Sequence, residues 1–204
     1  MMAAGMLRAD DSKLPYSNDF ASAEVGKVPD EFLVLDGGFV VKSDGTNKFL
    51  ELPGAPLDSF GVLFGPTVSE NIEVTARIRG TGKGRRYPTF GVGLNGQEGY
   101  KLQVSPAKKL LELYKADEVI GSVGFDWKSG QWTMMKLAVR KTGKYWVVEG
   151  KAWTRGGSEP EHPMISSEQK FQPAAGRASI WGQPYATTPI QFDDFLVKQA
   201  GDGK

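Results

Sequence analysis

Residues 145–155 carry side chains suited to holding a sugar. The odd positions, Tyr145, Val147, Glu149, Lys151, Trp153 and Arg155, set a carboxylate, an amine, an indole and a guanidinium on one face of an extended segment. The even positions, Trp146, Val148, Gly150, Ala152 and Thr154, are apolar or small and suit a core. Indoles stack on the apolar faces of pyranose rings, and charged groups hydrogen-bond the hydroxyls. The alternative is an amphipathic strand whose Trp153 packs under a loop. Trp181 and Tyr185 stand in a segment rich in glycine and proline, where they could line the rim of a cleft, whereas Trp127, Trp132 and Trp146 read as core.

A hydrolytic reading needs two carboxyl groups facing each other across a glycosidic bond, about 5–5.5 Å apart for retention and about 6.5–9.5 Å for inversion. Glu149 with Glu73 or Glu112 are the candidates, as proton donors and acceptors. The spacing E-x-D-x-x-E, which puts three acids on one face of a strand, is absent, and Glu159-Pro160-Glu161 is a proline-broken loop. His162 is the single histidine, which excludes a multi-histidine zinc site, and there is no G-x-S-x-G elbow to present a serine. Residues 91–96 match G-x-G-x-x-G but lead into another alternating strand, so no helix receives a pyrophosphate and nucleotide binding is not expected. With the strand reading, Gly91 and Gly93 leave bare backbone opposite Phe90, Val92 and Leu94, where a ligand or another strand could approach closely. The basic glycine loop at residues 80–87 lacks the Walker spacing and reads as a solvated hairpin tip.

The elements that would position these residues are strands. Glycine accounts for 26 of 204 residues, well above the usual share of about 7%. Turn pairs such as Asp44-Gly45, Asn95-Gly96 and Thr142-Gly143 recur about every ten residues, too often for helices. Ile72, Val74, Ala76 and Ile78 alternate with Glu73, Thr75, Arg77 and Arg79. Residues 90–94 and 100–104 read as a hairpin about Asn95-Gly96, and residues 135–139 and 146–148 as a second about Thr142-Gly143-Lys144. Residues 107–118 fit helix or strand. Near the C-terminus the alternation slips by one at Asp193-Asp194, which reads either as a β-bulge turning an aspartate toward a neighbour or as a pair of edge charges.

Composition sets the remaining bounds. With 25 basic and 24 acidic residues the net charge is +1, so no global field favours a nucleic acid. Apolar runs stay far below the length of about 20 residues that spans a bilayer, and zero cysteine removes disulfides and thiolate sites. Leu7-Arg8-Ala9 before two aspartates resembles the end of a cleaved export signal, although no complete signal peptide is present. The expected organisation is a flexible segment at 1–15, one domain over 16–198 and a disordered tail at 199–204.

Ser17-Asn18-Asp19-Phe20, the runs Gly-Tyr-Lys-Leu-Gln-Val (99–104) and Leu-Leu-Glu-Leu-Tyr-Lys (110–115), Gly130-Gln131-Trp132 and Phe192-Asp193-Asp194-Phe195 together resemble the concanavalin A-like lectin/glucanase jelly roll. The nearest resemblance is to exported bacterial proteins of the laminin-G-like and 3-keto-disaccharide hydrolase-like type. It implies an all-β sandwich of two antiparallel sheets, with first and last strands side by side, and an oligosaccharide or polysaccharide partner in a periplasmic or extracellular setting. It also implies a structural calcium near that strand pair, with Asp19 and Asp194 as carboxylate ligands. The expected function is carbohydrate recognition through Trp153, Trp181, Glu149, Lys151, Arg155 and Tyr185. The alternatives are a hydrolase-like enzyme and a structural or protein-interaction module.

Overall fold

A computed structural model describes residues 13–201. The export-signal-like Leu7-Arg8-Ala9, most of the 1–15 segment and the last three residues of the tail lie outside the described residues. Fifteen strands follow in order: β1 (Tyr16–Asn18), β2 (Leu33–Asp36), β3 (Val40–Ser43), β4 (Lys48–Leu52), β5 (Phe60–Val68), β6 (Ile72–Arg79), β7 (Thr89–Leu94), β8 (Tyr100–Ser105), β9 (Leu110–Lys115), β10 (Glu118–Gly124), β11 (Trp132–Thr142), β12 (Tyr145–Thr154), β13 (Ile165–Gln169), β14 (Gly176–Gln183) and β15 (Ile190–Gln199). They form an eight-stranded sheet, β13-β12-β11-β6-β15-β4-β3 with β1 added to β15, and a seven-stranded sheet, β10-β9-β8-β7-β14-β5-β2. All pairings are antiparallel, and the chain crosses repeatedly between the two layers.

Alternation explains the layering. Ile72, Val74, Ala76 and Ile78 face inward from β6, Leu137 and Val139 from β11, and Phe90, Val92, Leu102, Val104, Leu111 and Leu113 from the opposing sheet, all essentially buried. An aromatic knot closes one end: Phe64 stacks on Phe195 with ring centroids 4.5 Å apart, and Phe20 meets Phe195 edge-on at 5.2 Å. Both expected hairpins form, β7–β8 and β11–β12. The ambiguous residues 107–118 are strand: Leu111 and Leu113 point inward from β9, and the chain reverses into β10 through Ala116 at φ 48°. First and last strands do lie side by side, Tyr16 opposite Val197 and Asn18 opposite Phe195. Order continues slightly past the expected boundary, because β15 runs to Gln199 and the Ala200 amide donates to the Asn71 carbonyl.

The slip at Asp193-Asp194 is a β-bulge between Asp193 and Leu196, with Asp194 at φ 52°. Both carboxylates reach Arg77 of β6: Nη2 lies 2.5 Å from Asp193 and Nε 2.9 Å from Asp194. Asn47 bridges the set, donating to Asp193 at 2.9 Å and accepting from Arg77 at 2.9 Å. Trp132 does not join the core. It lies on the outer side of the eight-stranded sheet, under the Arg77 and Arg79 guanidiniums at 4.7 and 4.8 Å from its ring, where a cation over an indole face offsets the lost burial.

Candidate functional site

The six residues expected to bind sugar are not brought together. Residues 145–155 behave as expected in register, with Val148 and Ala152 in the core and Glu149, Lys151 and Trp153 on the outer side of the eight-stranded sheet. Their polar groups are already spoken for. Glu149 pairs with Arg140, and Lys151 pairs with Glu159 at 3.1 Å. Trp153 is half-buried opposite Met134, and Arg155 lies past the end of β12, its amide donating to the Trp132 carbonyl. The groove beside Glu149, about 680 Å³, is lined by Arg140, Lys141, Val147 and the turn at Gly143 and carries no aromatic ring.

Trp181 belongs to the other layer. It sits in β14 and not in a loop, projecting from the outer side of the seven-stranded sheet, whereas Tyr185 follows on the loop to β15 and is exposed. Stacked sheets pack about 10 Å apart face to face, so outer-face groups on opposite layers cannot share one pyranose.

The surroundings of Trp181 follow from strand order. Its cross-strand partners are Gly61 on β5 and Gly91 on β7, and Gly93 lies two residues along, opposite Ser179. With no side chains at these positions the indole lies down on the sheet. A Cβ added at Gly61 would come within 2.7–3.1 Å of Cζ3, Cε3 and Cδ2, so the six-membered ring covers Gly61. The Nε1 end reaches over toward Gly93 and donates to Ser179 Oγ at 2.9 Å. The expected bare backbone at Gly91 and Gly93 is therefore present, and it forms the floor beside a half-buried indole.

Polar side chains fringe this floor on the same face. Lys101 of β8, opposite Gly93, holds Nζ 4.7 Å from the Tyr114 ring centroid and 5.7 Å from that of Trp181. Gln103, opposite Gly91, donates to Ser105 Oγ at 3.0 Å. At the other end Thr89 donates to Gln183, which donates to Ser59 Oγ at 3.0 Å. A groove of about 270 Å³ opens past Trp181 and Lys101 toward Asp117 and Glu98. Burial pushes the Lys101 amine below its ordinary value, with Asp117 and Glu112 acting in the opposite sense.

The three candidate acids divide between the faces. Glu112 lies by this floor but is buried, accepting from Ser105 at 2.5 Å, Lys108 at 2.9 Å and Tyr114 at 3.2 Å. Burial raises its carboxyl, yet these donors outweigh burial and hold it below the usual glutamate range. A general acid needs the opposite shift, and every donor within reach of Glu112 favours its ionised form. Glu73 and Glu149 share the outer side of the other sheet, but the Arg140 guanidinium stands between them, with Lys198 at 3.4 Å from Glu73. A glycosidase leaves that space to the sugar and its water.

Asp19 and Asp194 do not fit a calcium shell. Asp194 is bound to Arg77, and Asp19 accepts from the Ala21 amide at 3.0 Å. Nearby carbonyls of Ala21 and Ala23 accept from Lys48 Nζ at 3.1 and 2.7 Å. Cationic side chains thus occupy Asp194 and the nearby carbonyls that a calcium shell would need, and no group of three or more His, Asp or Glu able to hold a metal occurs among the described residues.

The sequence pointed only faintly at Lys101, Gln103 and Tyr114, and not at Gln183. The signal was the alternation in 99–104 and 110–115, which turns these side chains away from Leu102, Val104, Leu111 and Leu113.

No protein-family model and no curated protein matches the chain. Solved structures do. The carbohydrate-binding module CBM66 from Bacillus subtilis is similar at 11% identity and a TM-score of 0.57, covering 82% of this chain and 95% of its own. A Bacillus subtilis protein of galectin-like fold is similar at 13% identity and a TM-score of 0.62, covering 92% and 97%. The catalytic domain of a glycoside hydrolase family 131 protein from Coprinopsis cinerea is similar at 10% identity and a TM-score of 0.58, covering 91% and 94%. The two antiparallel sheets form a sandwich of the lectin-like jelly-roll fold.

Proposed function

We propose that this jelly roll binds a glycan on the outer side of the seven-stranded sheet, with Trp181 as the stacking platform. One observation carries the reading: the half-buried indole lies over Gly61 and reaches toward Gly93, one face against bare backbone, and lines the groove beside Lys101. A tryptophan placed only to fill a core would turn inward, yet this one occupies an outward position flanked by glycines. Lys101, with Nζ 5.7 Å from the indole centroid, and Gln103 and Gln183 at neighbouring outward positions of the same sheet supply hydrogen-bonding groups. Rigid aromatic surface ringed by a few polar groups is the usual composition of a sugar-sized site. A carbohydrate-binding module and lectin domains among the structural neighbours support the same reading. The export expected from Leu7-Arg8-Ala9 belongs to this proposal, since polysaccharides are met outside the cell.

Trp181→Ala tests it. A central tryptophan contributes about 2 kcal/mol or more to binding, so affinity for any ligand found on a glycan array should fall about 30-fold or more, with the far-UV circular dichroism unchanged. Trp153→Ala, on the opposite face, should leave affinity within about twofold. Retained binding in the Trp181 variant would refute the proposal.

A further inference from the structure

Lys101 is an unusual neighbour for a stacking platform. Its amine is drawn over the Tyr114 ring at 4.7 Å and toward Trp181 at 5.7 Å. Among the described residues no carboxylate lies within ion-pair distance of it, although ion pairs are frequent elsewhere on the surface. A cation held between rings without an anionic partner has lost part of its hydration, and an arriving anion restores that loss. Glu98 and Asp117 line the same groove as Lys101 and Trp181, and Glu112, opposite Gln103, is engaged by Ser105, Lys108 and Tyr114. The cross-strand neighbours of Lys101 are Gly93 on β7 and Tyr114 on β9, so no carboxylate flanks the amine in register.

The second feature is the basic loop between β6 and β7. Lys83, Arg85 and Arg86 are exposed on a short turn closed by bonds between Lys83 and Arg86, and none of them has an ion-pair partner among the described residues. The loop leads directly into Thr89, which bonds Gln183 at the near end of the floor. From Gly91 to Thr89, the first residue of β7, the chain covers about 7 Å at the strand rise of about 3.3 Å per residue, and the basic loop ends two residues before it. The chain as a whole is almost neutral at +1, so these cations stand out as a local feature on one path.

We infer that the ligand is an acidic glycan, a uronate oligosaccharide whose pyranose stacks on Trp181 with its carboxylate at Lys101 Nζ and whose further acidic residues run past Gln183 toward Lys83, Arg85 and Arg86. This inference rests on the sugar-binding reading above and specifies the class of sugar.

The test is isothermal titration of the whole chain with oligomers of galacturonate, mannuronate and glucuronate, each beside its methyl ester, in low and high salt. The wild type should bind at least one acid about tenfold or more tighter than its ester, as expected for a charge-assisted hydrogen bond. Lys101→Met should bind acid and ester alike, at the level of the ester, while Lys101→Arg keeps the preference. Arg85→Ala with Arg86→Ala should weaken polymer binding and flatten its salt dependence without changing a disaccharide. Equal affinity for acid and ester in the wild type, an undiminished preference in Lys101→Met, or no binding of any of the three acids would overturn the inference. Binding of esters or neutral sugars that still requires Trp181 would leave the sugar-binding reading standing. Acid binding that survives Trp181→Ala would instead sink that reading.

Discussion

Arg77→Met should destabilise the protein by about 3–5 kcal/mol, the usual cost of stranding one partner of a buried ion pair. The guanidinium is 5% exposed and the Asp193 carboxylate 1% exposed, so no water replaces the lost partner. Four elements lose a common tie: β6 through Arg77, β15 through Asp193 and Asp194, the β3–β4 turn through Asn47, and β11 through the ring of Trp132. Burial already pushes the Asp193 carboxyl above its ordinary value, against the hydrogen bonds of Asn47, the Asp194 amide and Arg77. Without Arg77 that rise grows. A native acid with a raised value is stabilised relative to the unfolded chain as pH falls through it. The penalty should therefore be largest near neutral pH and shrink on acidification. Replacing both groups, Arg77→Met with Asp193→Leu, should recover much of the loss, because an apolar pair leaves no buried charge. Urea unfolding at two pH values measures all of this; a single-variant loss below about 1 kcal/mol would show that the pair is not the tie described.

Gly61→Val should abolish ligand binding with the fold intact. Even a Cβ there would sit 2.7 Å from Cζ3 and 2.8 Å from Cε3 of Trp181, closer than packed atoms allow, and the nearest atoms in its way are those of the indole. The indole must lift off the sheet and leave Ser179. Gly61 has no left-handed backbone requirement, and valine suits a strand, so the backbone itself should tolerate the change. Gly91 differs, because a Cβ there would meet the Leu102 carbonyl at 2.2 Å, and substitution would break the β7–β8 pairing. The expected result for Gly61→Val is loss of more than about 30-fold in affinity, with a red shift in Trp181 fluorescence. Unchanged affinity would mean that the flat indole is not the platform.

Much of the fold was legible because its cause is local. Period-two burial is written into residues 72–79, 90–94, 100–104 and 145–154, and turn glycines mark where each run ends. Even the bulge at Asp193-Asp194 showed as a register slip. Its purpose did not, because nothing in the sequence says that β15 pairs with β6 and brings Arg77 between the two acids. The site was obscured for the same reason. Trp153 and Trp181 look equivalent as isolated aromatics, and only the order β8-β7-β14-β5 shows that Trp181 is flanked by Gly61 and Gly91 while Glu149 and Lys151 face ion-pair partners. Residue type alone points Trp132 to the core, whereas its cover is two guanidiniums, which no hydropathy pattern records.

The five tryptophans give the central claim a direct readout. In an amide and indole correlation spectrum recorded during titration with an acidic oligosaccharide, the Trp181 Nε1–H resonance should move, together with the backbone amides of Gly91, Gly93 and Lys101. The Trp153 indole and the amides of Glu149 and Lys151 should stay fixed. Shifts confined to Trp153, Glu149 and Lys151, with Trp181 unmoved, would place the ligand on the opposite sheet and contradict the account.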